Sequence, residues 1–296
     1  MAKITDNDNI GITDADLKTK AAAEWQPLPM NNPTMAQSDE PVKTVYPTEM
    51  VDLPSKGLIY GENSALRKGS VEIRYMTAKE EDILTSPSLI QKGLVFDRLL
   101  QTLIVDKINL DEMVLGDKNA LLVAIRRLAY GDEYAVDITC PECGAKNKDV
   151  NVDLSLIEDK AFPEDKYNGV NEFDFFLPAT KVGITFKLLT HVDEKKINDE
   201  LTYLKKITKD SKVNPELSTR LKYIITSVNG DKGQKRVREF VDKELLSRDS
   251  LALRNYIREI SPDADMTFGF ACTECDHVGK LSIPMEVQFF WPNARI

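Results

Sequence analysis

The chain has 296 residues and a formal net charge of −9, with 42% hydrophobic and 29% charged residues. These are ordinary values for a soluble globular protein, and the length allows a large core without disulfide bonds. The acidic charge argues against a general nucleic-acid-binding protein, which needs clustered Lys and Arg, and no apolar run approaches the roughly 18 residues that span a bilayer. The polar N-terminus does not resemble a secretory signal, so we expect synthesis in the cytosol, where thiols stay reduced.

Residues 1–45 are predicted to be a disordered N-terminal arm, because Asp, Asn, Pro, Lys and Thr dominate and apolar residues are scattered. Order is predicted to begin near Tyr46. The alternating run SVEIRYM predicts a strand over residues 70–76. Thr77 and Glu80 follow at the spacing of a capping box, which predicts the start of a helix.

Two longer helices are predicted between residues 93 and 131. Apolar residues recur at helical spacing in both, and we expect these stripes to form core: Phe96, Leu99, Leu100, Leu103 and Ile104 in the first, Leu121, Ala124, Ile125 and Leu128 in the second. The second helix is predicted to be capped by Asp117 at its start and to end at Gly131.

The four cysteines of the chain form two CxxC pairs, with none left over: Cys140, Cys143, Cys272 and Cys275. The segments on both sides of each pair alternate between apolar and polar residues, so each pair is predicted to lie at the tip of a β-hairpin. Both modules therefore have the sequence character of a zinc knuckle, although residues 144–271 separate them.

The long segment between the two knuckles is predicted to be rich in helices. EFDFFLP and ITFKLLT indicate two strands, and four amphipathic helices follow. The spacing of Leu217, Leu221, Ile224 and Val228 predicts that one of these helices runs through residue 228. We therefore predict an α+β fold made of zinc-knuckle hairpins and packed helices. Residues 46–158 and 262–296 would form the zinc-binding core, and 159–261 an inserted helix-rich subdomain.

The cysteine pattern favours a structural Zn²⁺ bound by Cys140, Cys143, Cys272 and Cys275. Two knuckles supply four thiolates at about 2.3 Å from one ion, which closes its tetrahedral coordination. Gly144 suits the positive φ that the turn requires. A disulfide or a thioredoxin-like site is the alternative, but it expects a CxxC that opens a helix. With four sulfur ligands present, His277 is predicted to be a solvated residue of the knuckle rather than a ligand. His191 follows an apolar strand and is predicted to be structural.

No HExxH, GxSxG or GxxxxGK[ST] motif occurs, so the sequence predicts a protein that is not an enzyme. Asp263 and Asp265 could be read as a carboxylate pair, but their place beside Pro262 is typical of a turn. A hydrolase with dispersed carboxylates stays open as one alternative. A zinc-ribbon nucleic-acid-binding or regulatory protein is another, although the charges beside the knuckles are mixed rather than basic.

Several stretches taken together resemble one protein family: VDLPSKGLIY, VEIRYMTAKEEDIL, YGDEYAVDITCPECG, DSLALRNYI and the terminal FFWP. They are similar to the tail baseplate proteins of T-even-like contractile-tailed phages. This protein family includes the baseplate hub subunit and the hub assembly catalyst. The resemblance implies a hub component or hub-assembly factor whose partners are other phage baseplate hub and tail proteins. It implies a place in the host cytoplasm during assembly and, for a hub component, in the virion tail baseplate. Neither nucleic acid nor a membrane is expected as a partner.

The last aromatic residues, Phe289, Phe290 and Trp291, allow two interpretations. A strand cannot bury three consecutive side chains on one face. They either seal the core where the last strand ends, or at least one of them faces outward as an anchor for a hub partner.

Overall fold

Helices and small antiparallel sheets alternate along the chain in a computed structural model that describes residues 46–207, 214–285 and 287–290. The described residues belong to a single unit that begins at Tyr46. The fold class is α+β, as predicted. The predicted arm, residues 1–45, lies outside the described residues.

The first half of the described chain contains a hairpin-like pair of strands, four helices and a long hairpin. Strand β1 (Thr48–Asp52) pairs antiparallel with β2 (Ser70–Arg74). The helices follow in the order α1 (Ala78–Thr85), α2 (Pro87–Gln91), α3 (Val95–Leu103) and α4 (Leu115–Tyr130). The hairpin then consists of β3 (Glu133–Thr139) and β4 (Lys146–Asp153).

The second half contains a three-stranded sheet, four helices and a second hairpin. The sheet has the order β5 (Phe173–Phe176), β6 (Gly183–Phe186) and β7 (Ile225–Val228). The helices are α5 (His191–Ile207), α6 (Glu216–Ile224), α7 (Gln234–Lys243) and α8 (Ser247–Ile260). The hairpin pairs β8 (Thr267–Ala271) with β9 (Val278–Ser282), and a 3₁₀ turn covers Val287–Phe290.

Strand β7 corrects the prediction of one helix through residue 228. The helix ends at Ile224, and the next four residues pair antiparallel with β6, with Val228 opposite Ile184. The sequence ITSV is rich in β-branched residues, which favour strands. The apolar spacing fits a helix as well as a strand. Residues 225–228 form a strand because β6 is available to pair with them.

Asp117 does not cap α4 as predicted, because the helix begins one turn earlier with Val114 at the N-cap. Asp117 is instead fully buried, and its carboxylate accepts hydrogen bonds from the Ser55 backbone amide, the Ser55 hydroxyl and the Tyr60 hydroxyl. Burial raises the pKa of Asp117. This carboxylate therefore fixes the PSKGLIY loop against α4.

The two ends of the predicted insertion meet. Asp159 bridges Ala264 in an antiparallel pair, the Lys160 amide donates to the Asp263 carbonyl at 2.8 Å, and the Asp265 amide donates to the Glu158 carbonyl at 2.8 Å. The hydrophobic core nevertheless runs without interruption from one predicted part into the other. The division into a zinc-binding core and an inserted subdomain therefore stays a prediction.

Helix α4 packs directly against the chain that leads into the second hairpin. A Cβ added to Gly116 would lie 1.9 Å from the Pro262 carbonyl oxygen, so no side chain fits there. The Asn119 side-chain amide donates to the Asp263 carboxylate from the next turn of the helix.

Among the helices that the structure describes, none has the length and apolar character needed to cross a membrane.

Candidate metal centre

Both CxxC pairs lie at the tips of β-hairpins, as predicted. In the first hairpin the last paired residues are Thr139 and Lys146, and in the second they are Ala271 and Val278. Each pair of cysteines therefore occupies the turn that joins two antiparallel strands.

Backbone hydrogen bonds close both turns, so that the two cysteine side chains of each turn lie on the same side of it. In the first turn the Cys140 amide donates to the Ala145 carbonyl, and the Gly144 amide donates back to the Cys140 carbonyl at 3.0 Å. Gly144 has φ 72°, which glycine adopts without steric cost. In the second turn the Cys272 amide donates to the His277 carbonyl at 3.0 Å.

The four sulfur atoms converge, each within 4.8 Å of the others. Two of the separations join the two hairpins, at 3.8 Å between Cys140 and Cys275 and 3.7 Å between Cys143 and Cys272. A tetrahedron with metal–sulfur bonds of about 2.3 Å has edges of about 3.8 Å, so the sulfurs already stand at metal-binding spacing. All four thiols are free, and they are the one such cluster in the part of the chain that the structure describes.

The thiols of Cys272 and Cys275 differ in pKa. The Glu274 backbone amide donates to the Cys272 sulfur at 3.4 Å and is the main reason that the pKa of Cys272 falls to about 6. The His277 amide acts to lower the pKa of Cys275, but the neighbouring thiols outweigh it and raise that pKa to about 12. Four thiolates this close repel one another, and a divalent cation would supply the charge that offsets this repulsion.

Asn147, which the sequence analysis missed, ties the two knuckles together. Its side chain is buried on β4, where the carbonyl oxygen accepts hydrogen bonds from the Thr273 amide at 2.8 Å and the Thr273 hydroxyl at 2.9 Å. Its amide nitrogen donates to the Ala145 carbonyl and lies 3.6 Å from the Cys272 sulfur. No pattern in the sequence marks this residue, because its contact with Thr273 joins positions 126 residues apart.

Replacing Asn147 by alanine is expected to weaken metal binding about 10- to 100-fold, the usual cost of losing a group that orients metal ligands. The measurement is competition for the metal against a chelator of known affinity. Asn151→Ala is the control, because Asn151 is exposed on the same strand. Equal affinities of the two variants would show that Asn147 does not orient the ligands.

The two histidines lie outside the sulfur cluster. His277 contributes its backbone carbonyl to the second turn, and its ring packs near Phe270 with the ring centres 6.4 Å apart. His191 is buried at the start of α5, where its Nε2 lies 3.4 Å from the Asp97 carboxylate. Burial lowers the pKa of His191.

Asp263 and Asp265 lie in the chain between α8 and β8 and point to different partners. Asp263 accepts from the Asn119 side chain at 3.2 Å, and Asp265 accepts from the Thr267 hydroxyl at 2.8 Å. Burial raises the pKa of Asp263.

The structure buries Phe289 and Phe290 completely. Phe289 meets the Tyr134 ring edge-on with centres 5.1 Å apart, and Phe290 lies 5.2 Å from the Phe96 ring. The core interpretation therefore fits these two side chains, which in this conformation cannot serve as exposed anchors. Trp291 lies outside the described residues.

A comparison with known protein families agrees with the resemblance read from the sequence. The sequence model of the family described as T4 bacteriophage base plate protein matches residues 48–291. Neither a curated protein nor a solved structure gives a significant match to the chain. Because the match covers most of the chain, including both knuckles, the chain belongs to the T4 bacteriophage base plate protein family.

Proposed function

We propose that this baseplate protein is a component or an assembly factor of the baseplate hub, that it acts through protein–protein contacts, and that it holds a structural Zn²⁺. The family match over residues 48–291 is the observation that carries the proposal. A baseplate is an assembly of many proteins, so a member of this family works in contact with other phage proteins.

The donor set supports zinc as the metal. Four thiolates at tetrahedral spacing select Zn²⁺ or an iron–sulfur centre over hard cations such as Mg²⁺ and Ca²⁺. Two CxxC knuckles on hairpin tips are the usual setting of structural zinc. The ion would clamp the β3–β4 hairpin to the β8–β9 hairpin.

A structural role fits the closed coordination. With four protein ligands the ion keeps no position for water or substrate, so we propose that the site performs no catalysis. The residues beside the knuckles support contact with protein rather than nucleic acid, because acidic and basic side chains are mixed there and form no basic stripe: Glu142, Lys146, Lys148, Glu274, Asp276 and Lys280.

Purified virions test the role in the baseplate. The chain would be counted in intact particles by quantitative mass spectrometry, and hub assembly would be followed in cells infected with a phage that lacks the gene. A fixed copy number per virion identifies a hub component. Absence from virions together with stalled hubs in the deletion identifies an assembly factor. Normal hubs in the deletion, with no chain in the virion, would refute both.

Metal analysis tests the zinc separately. The full chain, purified without added metal, is expected to carry one equivalent of zinc, measured by elemental mass spectrometry. Iron in its place, with the absorption of an iron–sulfur centre, would replace zinc in the proposal and leave the closed sulfur site intact.

A further inference from the structure

The two hairpins are joined at both ends but separate in the middle. At the tips they meet through the sulfur cluster and the contact between Asn147 and Thr273, and at the base Asp159 pairs with Ala264. Between these two junctions, residues 148–158 form a longer stretch than the facing residues 265–272. A regular ladder needs equal lengths, so the hairpins stay separate two-stranded sheets.

Strand β4 has a free edge on the side that faces away from β3. The Leu154 amide donates to the Asp132 carbonyl, which fixes the alternation of the ladder. In that register Asn151 and Asp153 stand in pairs without hydrogen bonds to β3. Their backbone amides and carbonyls therefore point away from β3. Asp153 is also the N-cap of the 3₁₀ turn Leu154–Leu156, where its carbonyl faces the turn, so the free edge consists of the Asn151 amide and carbonyl and the Asp153 amide.

Strand β8 has a matching free edge. The Ile283 amide donates to the Met266 carbonyl at one end of the ladder, and the Cys272 amide donates to the His277 carbonyl at the other. Both bonds place Thr267 and Gly269 in pairs without hydrogen bonds to β9. Unpaired edges of this kind are ready to accept another strand.

Both free edges border one cleft of about 440 Å³ between the hairpins. Asn151 and Asp153 line one side, and Thr267 and Gly269 line the other. A Cβ added to Gly269 would meet no atom within 4 Å, so space beside its backbone is open. The cleft therefore offers main-chain donors and acceptors from two strands at once.

The side chains of the cleft combine apolar surface with negative charge. Leu156 is its main exposed apolar side chain, at 75% exposure, with Ile157 and Phe268 half-buried beside it and Val152 and Ile283 buried beneath. Three carboxylates line it against a single lysine: Asp153, Glu158 and Asp265 against Lys280. Such a lining favours an occupant with basic side chains and an apolar residue between them.

We propose that the cleft between β4 and β8 binds an extended segment of another protein in which Lys or Arg residues flank an apolar side chain. The segment adds a strand to the hairpins through backbone hydrogen bonds, its apolar side chain packs on Leu156, and its cations face the carboxylates. This surface rests on the proposed function, since it names where a protein partner would bind. The excess of carboxylates excludes a phosphate backbone as the occupant.

Synthetic peptides test the cleft directly on the full zinc-loaded chain. The probe is a fluorescent hexapeptide of alternating lysine and valine, compared with its glutamate–valine analogue and with a copy whose alternate backbone nitrogens are methylated. The lysine peptide is expected to bind at least about tenfold more tightly than the other two, because charge and strand pairing both favour it. Hydrogen exchange should slow at the amides of Asn151, Asp153, Thr267 and Gly269.

Surface variants localise the binding. Leu156→Lys and Glu158→Lys, each at an exposed position of the cleft, are expected to weaken the lysine peptide at least about tenfold. Leu251→Lys and Glu239→Lys are matched controls at exposed positions elsewhere and should bind as the unsubstituted chain does. Zinc content is measured for each variant to show that the hairpins remain joined.

The proposal would be overturned by equal binding of the three peptides, by unchanged exchange at the four amides, or by equal effects of the cleft and control variants. A chain that self-associates through the cleft, with the peptide unable to compete, would overturn it in favour of a second copy as occupant. None of these results affects the virion count, so failure of the cleft and failure of the baseplate role remain distinguishable.

Discussion

Replacing Cys140 and Cys143 together by serine is expected to abolish binding of the proposed zinc ion and to lower the free energy of unfolding by about 4 kcal/mol. The estimate follows from linkage, since an ion present at about 1,000 times its dissociation constant stabilises the folded state by about 4.1 kcal/mol. Serine keeps the size of cysteine, but its hydroxyl is not a thiolate and does not replace it as a ligand.

The loss should be large because neither hairpin has a sheet to support it. Each consists of two strands, and an isolated two-stranded hairpin is marginal in water. Cys140 is buried in its turn, and Cys143 is exposed. The double variant removes both sulfur ligands of one knuckle, so its main effect is the loss of the metal and not the loss of one packing contact.

The measurement is a thermal melt combined with metal analysis. For a domain of this size a loss of about 4 kcal/mol lowers the Tm by about 8–16 °C. Glu142→Ser, in the same turn and exposed, controls for the substitution itself. The native chain stripped of metal should melt with the double variant. A variant that loses zinc and melts like the native chain would show that the ion is not structural.

The sulfur site could be predicted from the sequence because the signal is local and rare. Two CxxC pairs, each between alternating segments, already define two hairpin tips, and a shared metal is the simplest use for four cysteines. Asn147 could not be predicted in the same way. Its role depends on the register of β4 and on Thr273, which reaches it only after the hairpins come together.

The fold predictions are confirmed where the signal lies within one segment and are wrong where the structure depends on distant partners. Helices α3 and α4 follow from apolar stripes within one segment, and the structure places them close to the predicted positions. Strand β7 and buried Asp117 depend on partners far along the chain, namely β6 and the Ser55 loop. Local propensity cannot see these partners, so it mistakes a strand for the end of a helix and a buried hydrogen-bond acceptor for a cap.

Two adjacent arginines on α4 also differ in ways that local sequence cannot predict. The buried one leads to the second prediction with a large expected effect on stability. Arg126 and Arg127 are equivalent in composition, yet Arg126 is fully buried whereas the Arg127 side chain is 40% exposed. The Arg126 guanidinium donates to the carbonyls of Phe289 at 2.7 Å, Gly131 at 3.1 Å and Glu133 at 3.0 Å. Burial lowers its pKa, but arginine stays charged in proteins.

Arg126 therefore holds three parts of the chain together: the end of α4, the start of β3 and the turn that carries Phe289. Its ring of acceptors is made of backbone carbonyls, and the guanidinium also lies over the Tyr130 ring, 5.2 Å from its centre. Removal of the side chain leaves these carbonyls without their donor and opens a cavity among buried residues.

Arg126→Ala is expected to lower the free energy of unfolding by about 3–5 kcal/mol, since the buried Phe289 carbonyl left unpaired costs about 1–3 kcal/mol and the cavity left by a fully buried side chain adds about 2 kcal/mol. The Gly131 and Glu133 carbonyls are only partly buried, so water can replace part of what they lose. Arg126→Lys should recover little of this, because one ammonium group cannot reach three carbonyls in the fork geometry of arginine. Arg127→Ala is the matched control, and its exposed ion pair with Asp132 predicts a loss of about 1 kcal/mol or less. Urea unfolding of the three variants measures the differences, and zinc content should stay native in all of them while they are folded. If Arg126→Ala unfolds at the same urea concentration as Arg127→Ala, the three carbonyls have found other donors and Arg126 does not hold the C-terminal turn in place.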